Sequence, residues 1–433
     1  MSTALLTDHY ELTMLDAARH SGAWKTECVF DVFTRRLPAG RRYGVVAGIG
    51  RVIEAVAEFR FGEPELAFLD NANIVSSDTL AWLANYRFAG DIRGYQEGEV
   101  YFPHSPILSV QGTFADAVVL ETVILSILNH DSAVAAAAAR MVGAAEGRPL
   151  IEMGSRRTGE QSAWAAARAA YIAGFDGTSN LEAGRRYGIP TFGTAAHAFT
   201  LLHESEKDAF SAQIATLGQD TTLLVDTYDI ERAVTAAIEV GGVNLGAVRI
   251  DSGDLPVIAS QVRAQLDALG ATTTRIVVTS DLDEYTIAGL GSAPVNAFGV
   301  GTSVVTGSGH PAAGLVYKLV ARKDNSDNWV SVQKTSTGKA NAGGIKTAAR
   351  KLSSGVAQAE EIVLGETSGT GSGRPLIVNH IVSGEPVSAE SPEKTVMAAR
   401  EHHRMAMAEL PADSMRLGAG DPVIPTIFSD TSA

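Results

Sequence analysis

The sequence predicts an α/β protein in which short strands alternate with helices and build a parallel sheet that closes, or nearly closes, into a barrel. From about residue 148, short apolar runs recur, each ending in a polar, Gly-rich turn. They are PLIEMGSRR, YIAGFDGTSN, IPTFGTAAH, TTLLVDTYD, LGAVRIDSGD, RIVVTSDLD, NAFGVGTS and GLVYKLV. Helical stretches such as ERAVTAAIEV and ASQVRAQLDALG lie between most of them. This alternation implies right-handed βαβ units. About seven such units in succession favour a barrel over an open doubly wound sheet.

The flanking regions read differently. LTMLDAARHSG is an amphipathic helix closed by Gly22, and ECVFDVFTRRLP is strand-like up to Pro38. RYGVVAGIGRVIEAVAEFRF becomes helical after Gly48, and GEVYFPHSPILSVQGTF gives two short strands broken at Pro103 and Pro106. ETVILSILNHDSAVAAAAARMVGAA is a long helical stretch with an expected interruption near His130 and Asp131. Beyond residue 320, KDNSDNWVSVQKTSTGKANAGG suggests a strand pair around a polar turn, and ETSGTGSGRPL reads as a loop. SPEKTVMAAREHHRMAMAEL is a helix opened by Ser391 and Glu393 and ended by Pro411. The last fifteen or so residues have little periodicity and are expected to fray.

Composition sets bounds. The chain has 433 residues, enough for two or three domains or for one barrel with additions. Hydrophobic residues make up 45% and charged ones 19%, so a large core is available. A net charge of −14 argues against a sequence-independent nucleic-acid binder, which needs a basic face. It leaves room for a local Arg/Lys pocket for phosphate. Cys28 is the single cysteine, so an intrachain disulfide and a cysteine zinc cluster are excluded. No signal peptide is visible at the N-terminus, and no apolar run reaches the roughly 18 residues of a membrane span. The expectation is a cytoplasmic protein without membrane or nucleic-acid partners.

In barrels and open α/β sheets, ligands bind outside the carboxyl ends of the strands. Those ends are polar here: Ser155, Arg156 and Arg157; Asp176, Thr178, Ser179 and Asn180; Thr194 and His197; Asp226, Thr227 and Asp229. The series continues with Arg249, Asp251, Ser252 and Asp254; Ser280, Asp281 and Asp283; and Gly299, Gly301 and Thr302. Any one Asp or Ser among them is best explained as a helix cap or turn residue. Arginines, a histidine and paired acids together at one rim ask for more. GVGTS (299–303) can offer bare backbone N–H groups to a phosphate, although no Walker A pattern is present. In RIDSGD (249–254), Arg249 and Asp251 share a strand face. The guanidinium can grip a carboxylate or phosphate, and the acids suit ribose hydroxyls or Mg²⁺, but a structural Arg–Asp pair explains the pattern equally well. His197, in PTFGTAAHAF, is by itself a helix-start histidine with local hydrogen bonds.

LLTDHYELTM (5–14), GSRRTG (154–159), GFDGTSN (174–180), GTAAHA (193–198), VRIDSGDL (248–255), SDLDE (280–284) and GVGTS (299–303) occur in this order. The set resembles the nicotinate phosphoribosyltransferases, from residue 5 to about Val320. The resemblance implies an irregular, incomplete α/β barrel with an α+β domain from the N-terminal region, joined by C-terminal segments. The implied division is 1–130 (α+β domain), 131–345 (catalytic barrel) and 346–433 (a segment packing back on the N-terminal domain). The implied reaction joins nicotinate to 5-phosphoribosyl-1-pyrophosphate, giving nicotinate mononucleotide and pyrophosphate in NAD salvage. ATP is the co-substrate, Mg²⁺ the metal, and a homodimer with shared active sites the working form; the metal ligands stay open.

By the same resemblance, His197 is the phosphorylated histidine, and Arg156 and Asp251 stand with it as catalytic residues. Tyr10, Thr194 and Arg249 bind nicotinate, with Tyr10 coming from the partner subunit. Thr302, Gly299, Gly301, Ser252, Gly253, Asp254 and Ser280 bind the phosphoribosyl and pyrophosphate groups. Some members of the family carry a cysteine zinc cluster, which Cys28 alone cannot build. The alternatives are a related enzyme acting on nicotinamide or quinolinate, and a non-catalytic nucleotide-binding regulator. Arg249 suits an anionic ring substituent, which disfavours nicotinamide. Quinolinate needs more cationic groups, and a regulator would be expected to have lost His197 or the acids of RIDSGD.

Overall fold

The computed structural model describes residues 2–334, 342–365 and 373–430. The chain divides into two compact units, Met1–Ala136 with His310–Ala433, and Ala137–Gly309.

The second unit holds a six-stranded parallel sheet: β1 (Leu150–Glu152), β2 (Gly177–Thr178), β3 (Thr222–Leu224), β4 (Ala247–Ile250), β5 (Arg275–Val278) and β6 (Ala297–Val300). The spatial order is β2-β1-β6-β5-β4-β3, all parallel. The end strands β2 and β3 are not paired with each other among the described residues. Leu150, Leu223, Val248, Ile250, Val278 and Val300 are buried, as strands covered on both faces require. Each such side chain contributes roughly 1.5–3 kcal/mol.

The helices between the strands start at polar caps on the carboxyl rim. Asn180 accepts from Ala183 N–H at 2.9 Å, Asp229 from Arg232 N–H at 2.9 Å, and Asp254 from Val257 N–H at 3.5 Å. Asp283 accepts from Tyr285 and Thr286 N–H at 3.0 and 2.7 Å. Capping is thus what these four residues do in the fold. Asp176 lies before β2 rather than beyond it and accepts the Leu150 N–H at 2.9 Å.

IPTFGTAAH, expected as a strand, does not form one. Thr191 makes only an isolated parallel bridge to Thr178. Pro190 has no N–H to donate and only its carbonyl joins, accepting from Thr178 N–H at 3.0 Å. GLVYKLV does form a strand, Leu315–Lys323, but it pairs antiparallel with Glu27–Thr34 in the first unit. The second unit accordingly ends at Gly309 and not at 345. An apolar run announces a buried strand without saying which sheet it joins.

The first unit is built on a seven-stranded sheet in which Glu27–Thr34 lies between Leu315–Lys323 and Leu108–Thr113, antiparallel to both. A four-stranded sheet includes Lys346–Ser353 and Val356–Leu364. Thr426–Asp430 joins it parallel to Val356–Leu364, so the expected fraying tail contains a paired strand. Trp329–Ser331 pairs with Leu315–Lys323 around a turn in which Asp324 accepts from Ser326 and Asn328 N–H. The remainder of that expected strand pair (335–341) and most of the loop expected at 366–376 lie outside the described residues. The predicted C-terminal helix spans Pro392–Ala408 with Ser391 as its cap.

The long helix, Glu121–Ala145, runs without the expected interruption. Asp131 is tolerated inside it because its carboxylate is paired with Arg51 at 2.7 Å and His130 at 2.8 Å. By length and composition alone this helix could cross a membrane, contrary to the expectation that no such run exists. Its most apolar 18-residue window is 72% buried within the protein, as in a core helix.

Candidate active site

The carboxyl ends of β1, β4, β5 and β6 surround a cleft of about 280 Å³. Arg156, Arg249, Asp251, Ser280, Gly299, Gly301 and Thr302, all expected at the site, line it. Met153, Arg157, Thr279 and Asp281 complete it. Three guanidinium groups on one concave wall suit a phosphate- or carboxylate-rich ligand.

The two ends of the cleft differ chemically. At one, Arg249 donates to Thr194 Oγ1 at 3.1 Å and to the Ala195 carbonyl at 3.0 Å, while its Nε is buried without a partner. Burial pulls its pKa down, Arg156 adds to this, and Asp251 and Asp226 oppose it. No carboxylate is bonded to this guanidinium among the described residues.

At the other end, backbone makes the site. A Cβ on Gly299 would fall 2.6 Å from Thr279 Cγ2 and 2.7 Å from Met153 Sδ, so glycine is required there. Gly301 leads into the short helix Thr302–Val305. Ser280 has φ +104°, a strained conformation for a residue with a side chain. Ser280 and Asp281 also line an adjoining, more open cleft, which contains Gly253 and Asp254.

His197 is the first residue of the helix His197–Leu202. Its Nδ1 is 3.1 Å from Thr227 Oγ1, and its Nε2 is 3.9 Å from both Asp226 Oδ1 and Asp251 Oδ2. Asp226 uses its other oxygen to accept from Asp251 N–H at 2.8 Å and Ser252 Oγ at 2.7 Å. Thr279 Oγ1 donates to Asp251 at 2.5 Å. The imidazole is therefore held at the cleft's edge by a hydroxyl and faces two carboxylates. Its side chain is 40% exposed, open to a ligand. The purely local helix-start role does not explain two acids turned toward Nε2.

Tyr10 lies in the other unit, on the helix His9–Ser21, and is 45% exposed. Burial and the carboxylates of Glu121, Glu11 and Asp8 push its hydroxyl up to about 12, so it stays protonated.

A family model for the nicotinate phosphoribosyltransferase (NAPRTase) N-terminal domain matches residues 5–129, and the model of the nicotinate phosphoribosyltransferase (NAPRTase) family matches residues 149–361. The chain belongs to the nicotinate phosphoribosyltransferase family. It is 52% identical to nicotinate phosphoribosyltransferase pncB1 of Mycobacterium tuberculosis (strain H37Rv), over 98% of this chain and 94% of that protein. It is 40% identical to pncB2 of the same organism, over 99% and 92%. In fold it resembles human nicotinic acid phosphoribosyltransferase, with TM-score 0.83 at 24% identity, covering 99% and 98% of the two chains.

The residues that sequence reasoning passed over are Glu152, Met153 and Thr279. Glu152 ends β1 fully buried, and Thr279 follows β5. A lone carboxylate closing an apolar strand was the available signal for Glu152, since an unpaired buried acid needs a reason.

Proposed function

We propose that this enzyme transfers the phosphoribosyl group of 5-phosphoribosyl-1-pyrophosphate to nicotinate, forming nicotinate mononucleotide and pyrophosphate in NAD salvage. The observation that carries the reading is the cleft itself, with Arg249, bonded to no carboxylate among the described residues, at one end and the Gly299–Gly301–Thr302 backbone at the other. Nicotinate's carboxylate meets Arg249 and Thr194, with Tyr10 of a partner subunit covering the ring. The 5-phosphate rests on the N–H groups of Gly301 and Thr302. Arg156 and Arg157 face the pyrophosphate. Ser252, Gly253, Asp254 and Ser280 border the ribose and phosphates.

The chemistry asks for little covalent work. The C1–O bond to pyrophosphate breaks as the ring nitrogen's lone pair forms the new C1–N bond. Positive charge gathers on the ribose, near Asp251, and negative charge on the leaving group, near the arginines. A pyridine nitrogen needs no general base.

ATP coupling passes through His197 in this reading. A ring nitrogen takes the γ-phosphoryl group, the P–O bond to ADP breaks, and water later releases phosphate. Asp251 and Asp281, which line the cleft, would supply carboxylates to Mg²⁺, and the substrate's own phosphates would supply the rest, which is how this ion is commonly held. Bound there, it would neutralise leaving-group charge. We further read the parallel sheet as an incomplete α/β barrel, the working form as a homodimer with composite sites, and the location as cytoplasmic. A product assay with nicotinate, nicotinamide and quinolinate, each with and without ATP, tests the whole reading. Equal use of nicotinamide would overturn it.

A further inference from the structure

Two of the three arginines that line the cleft, Arg156 and Arg157, sit on a tight turn, Ser155–Arg157, shortly after Glu152. Glu152 is fully buried, and no arginine, lysine or histidine pairs with it among the described residues. Its carboxylate is nonetheless placed with care. Oε1 accepts the Gly154 N–H, and Oε2 accepts the Thr178 hydroxyl at 2.5 Å. Thr178 Oγ1 in turn accepts the Asn180 N–H at 2.9 Å, and Asn180 Nδ2 donates to Ser155 Oγ at 3.0 Å. The chain of donors closes a ring: Glu152 to Thr178, Thr178 to Asn180, Asn180 to Ser155, and back through the turn to Gly154.

With Glu152 ionised, every hydrogen in this ring has a partner. Thr178 accepts from Asn180 and donates its own hydrogen to Glu152, while Gly154 N–H can only donate. The ionised carboxylate offers the two acceptors that this arrangement uses. Burial raises the carboxyl's pKa, and the bonds from Thr178 and Gly154 oppose that rise.

The same turn meets the phosphate loop. Met153 N–H donates to the Val300 carbonyl at 2.7 Å. A Cβ on Gly154 would lie 2.3 Å from Val305 Cγ1 and 2.8 Å from the Gly301 carbonyl. The turn bearing Arg156 and Arg157 is thus fixed against Gly301 on one side and held by Glu152 from beneath.

We propose that Glu152 is a positioning residue for the pyrophosphate end of the reaction: through Gly154 and the Thr178–Asn180–Ser155 ring it sets the Arg156–Arg157 turn against the 299–302 loop. It touches no substrate. The inference rests on the reading that Arg156 faces pyrophosphate.

The test compares Glu152→Leu, Thr178→Ala and Arg156→Ala in steady-state kinetics, with thermal unfolding as a control. Leu keeps roughly the size but removes both acceptors, leaving the Gly154 N–H and the Thr178 hydroxyl without their partner. Ala at 178 breaks the ring from the other side. Both should raise KM for 5-phosphoribosyl-1-pyrophosphate and weaken product inhibition by pyrophosphate, on the order of tenfold to a hundredfold, as small misplacements of binding groups do. KM for nicotinate should stay within about twofold, because Arg249 and Thr194 lie outside the ring. If Arg156→Ala loosens pyrophosphate but neither ring variant does, the positioning role is wrong and the site reading stands. If Arg156→Ala leaves pyrophosphate untouched, the site reading fails and takes this inference with it. A uniform loss of all parameters with melting temperature in both ring variants would make Glu152 merely structural.

Discussion

His197 Nε2 stands 3.9 Å from Asp226 Oδ1, and that carboxylate oxygen is buried with no hydrogen-bond partner. The other Asp226 oxygen is committed to Asp251 N–H and Ser252. One carboxylate thus fixes the RIDSGD loop with one atom and presents the other to the imidazole. A buried acceptor left open is costly, about 1–3 kcal/mol, unless a ligand, water or protonated partner fills it.

Asp226→Asn tests that relation. Asn can keep one oxygen on Ser252 and Asp251 while removing the negative charge beside the ring. The expected outcome is a rate of His197 phosphorylation lower on the order of a hundredfold, the usual cost of deleting a preorganised electrostatic partner. Rapid-quench measurement of labelled enzyme checks it. An unchanged phosphorylation rate would show that Asp226 serves the loop alone.

His197→Asn addresses the acceptor itself. With γ-labelled ATP the parent enzyme should carry an acid-labile, base-stable label on His197, and the variant none. ATP hydrolysis linked to turnover should vanish. Phosphoribosyl transfer should persist, driven only by substrate and pyrophosphate concentrations, because Arg156, Arg249 and the phosphate loop remain. Hydrolysis by the variant in step with product would return His197 to a structural role.

Much of this site was legible because ligand-binding groups at strand ends must be polar, and strand ends are found from apolar runs. Arg249, Asp251, Ser280 and Thr302 were reached that way. What the rim could not reveal was division of labour: Asp229, Asp254 and Asp283 look like Asp226 and Asp251 in sequence, yet three cap helices and two face His197. That difference lies in the direction of one side chain, which spacing does not encode. The strand at Leu315–Lys323 was visible but misplaced, since its partner Glu27–Thr34 lies far away in the sequence, with the whole parallel sheet between them. The strand Thr426–Asp430 was missed because backbone pairing, more than side-chain periodicity, defines it.

Arg249→Ala should weaken nicotinate use by ten- to a hundredfold, the value of a buried charge-assisted contact of about 1.5–3 kcal/mol. Arg249→Lys should recover only part, because a lysine cannot reach Thr194, Ala195 and a carboxylate in one plane. Competition kinetics against nicotinamide measure the effect. A variant that discriminates as well as the parent would move the carboxylate site elsewhere.

The last prediction concerns stability and acid. His403, on the helix Pro392–Ala408, is buried and bonds through Nδ1 to the Gly98 carbonyl at 3.0 Å. Burial lowers its pKa from 6.5 to about 4 despite that bond and the nearby Glu99. The unfolded chain therefore takes a proton on this ring near 6.5, and the folded chain only near 4. Between those values the unfolded state holds more protons, so stability falls as pH drops through this window and is fully present above it. From pH 7 to 4.5 the loss from this group is roughly 2 to 3 kcal/mol. Glu11 acts oppositely in the same range: burial raises its pKa to about 7, so its contribution improves as it is protonated. The comparison must therefore be made against His403→Asn, which keeps a donor for Gly98 and does not titrate. Urea unfolding at pH 7 and 4.5 should show the parent losing about 2 kcal/mol more than the variant, whatever their absolute stabilities. Equal losses would mean that this imidazole is already charged in the folded protein, or wet enough to become so without opening the helix.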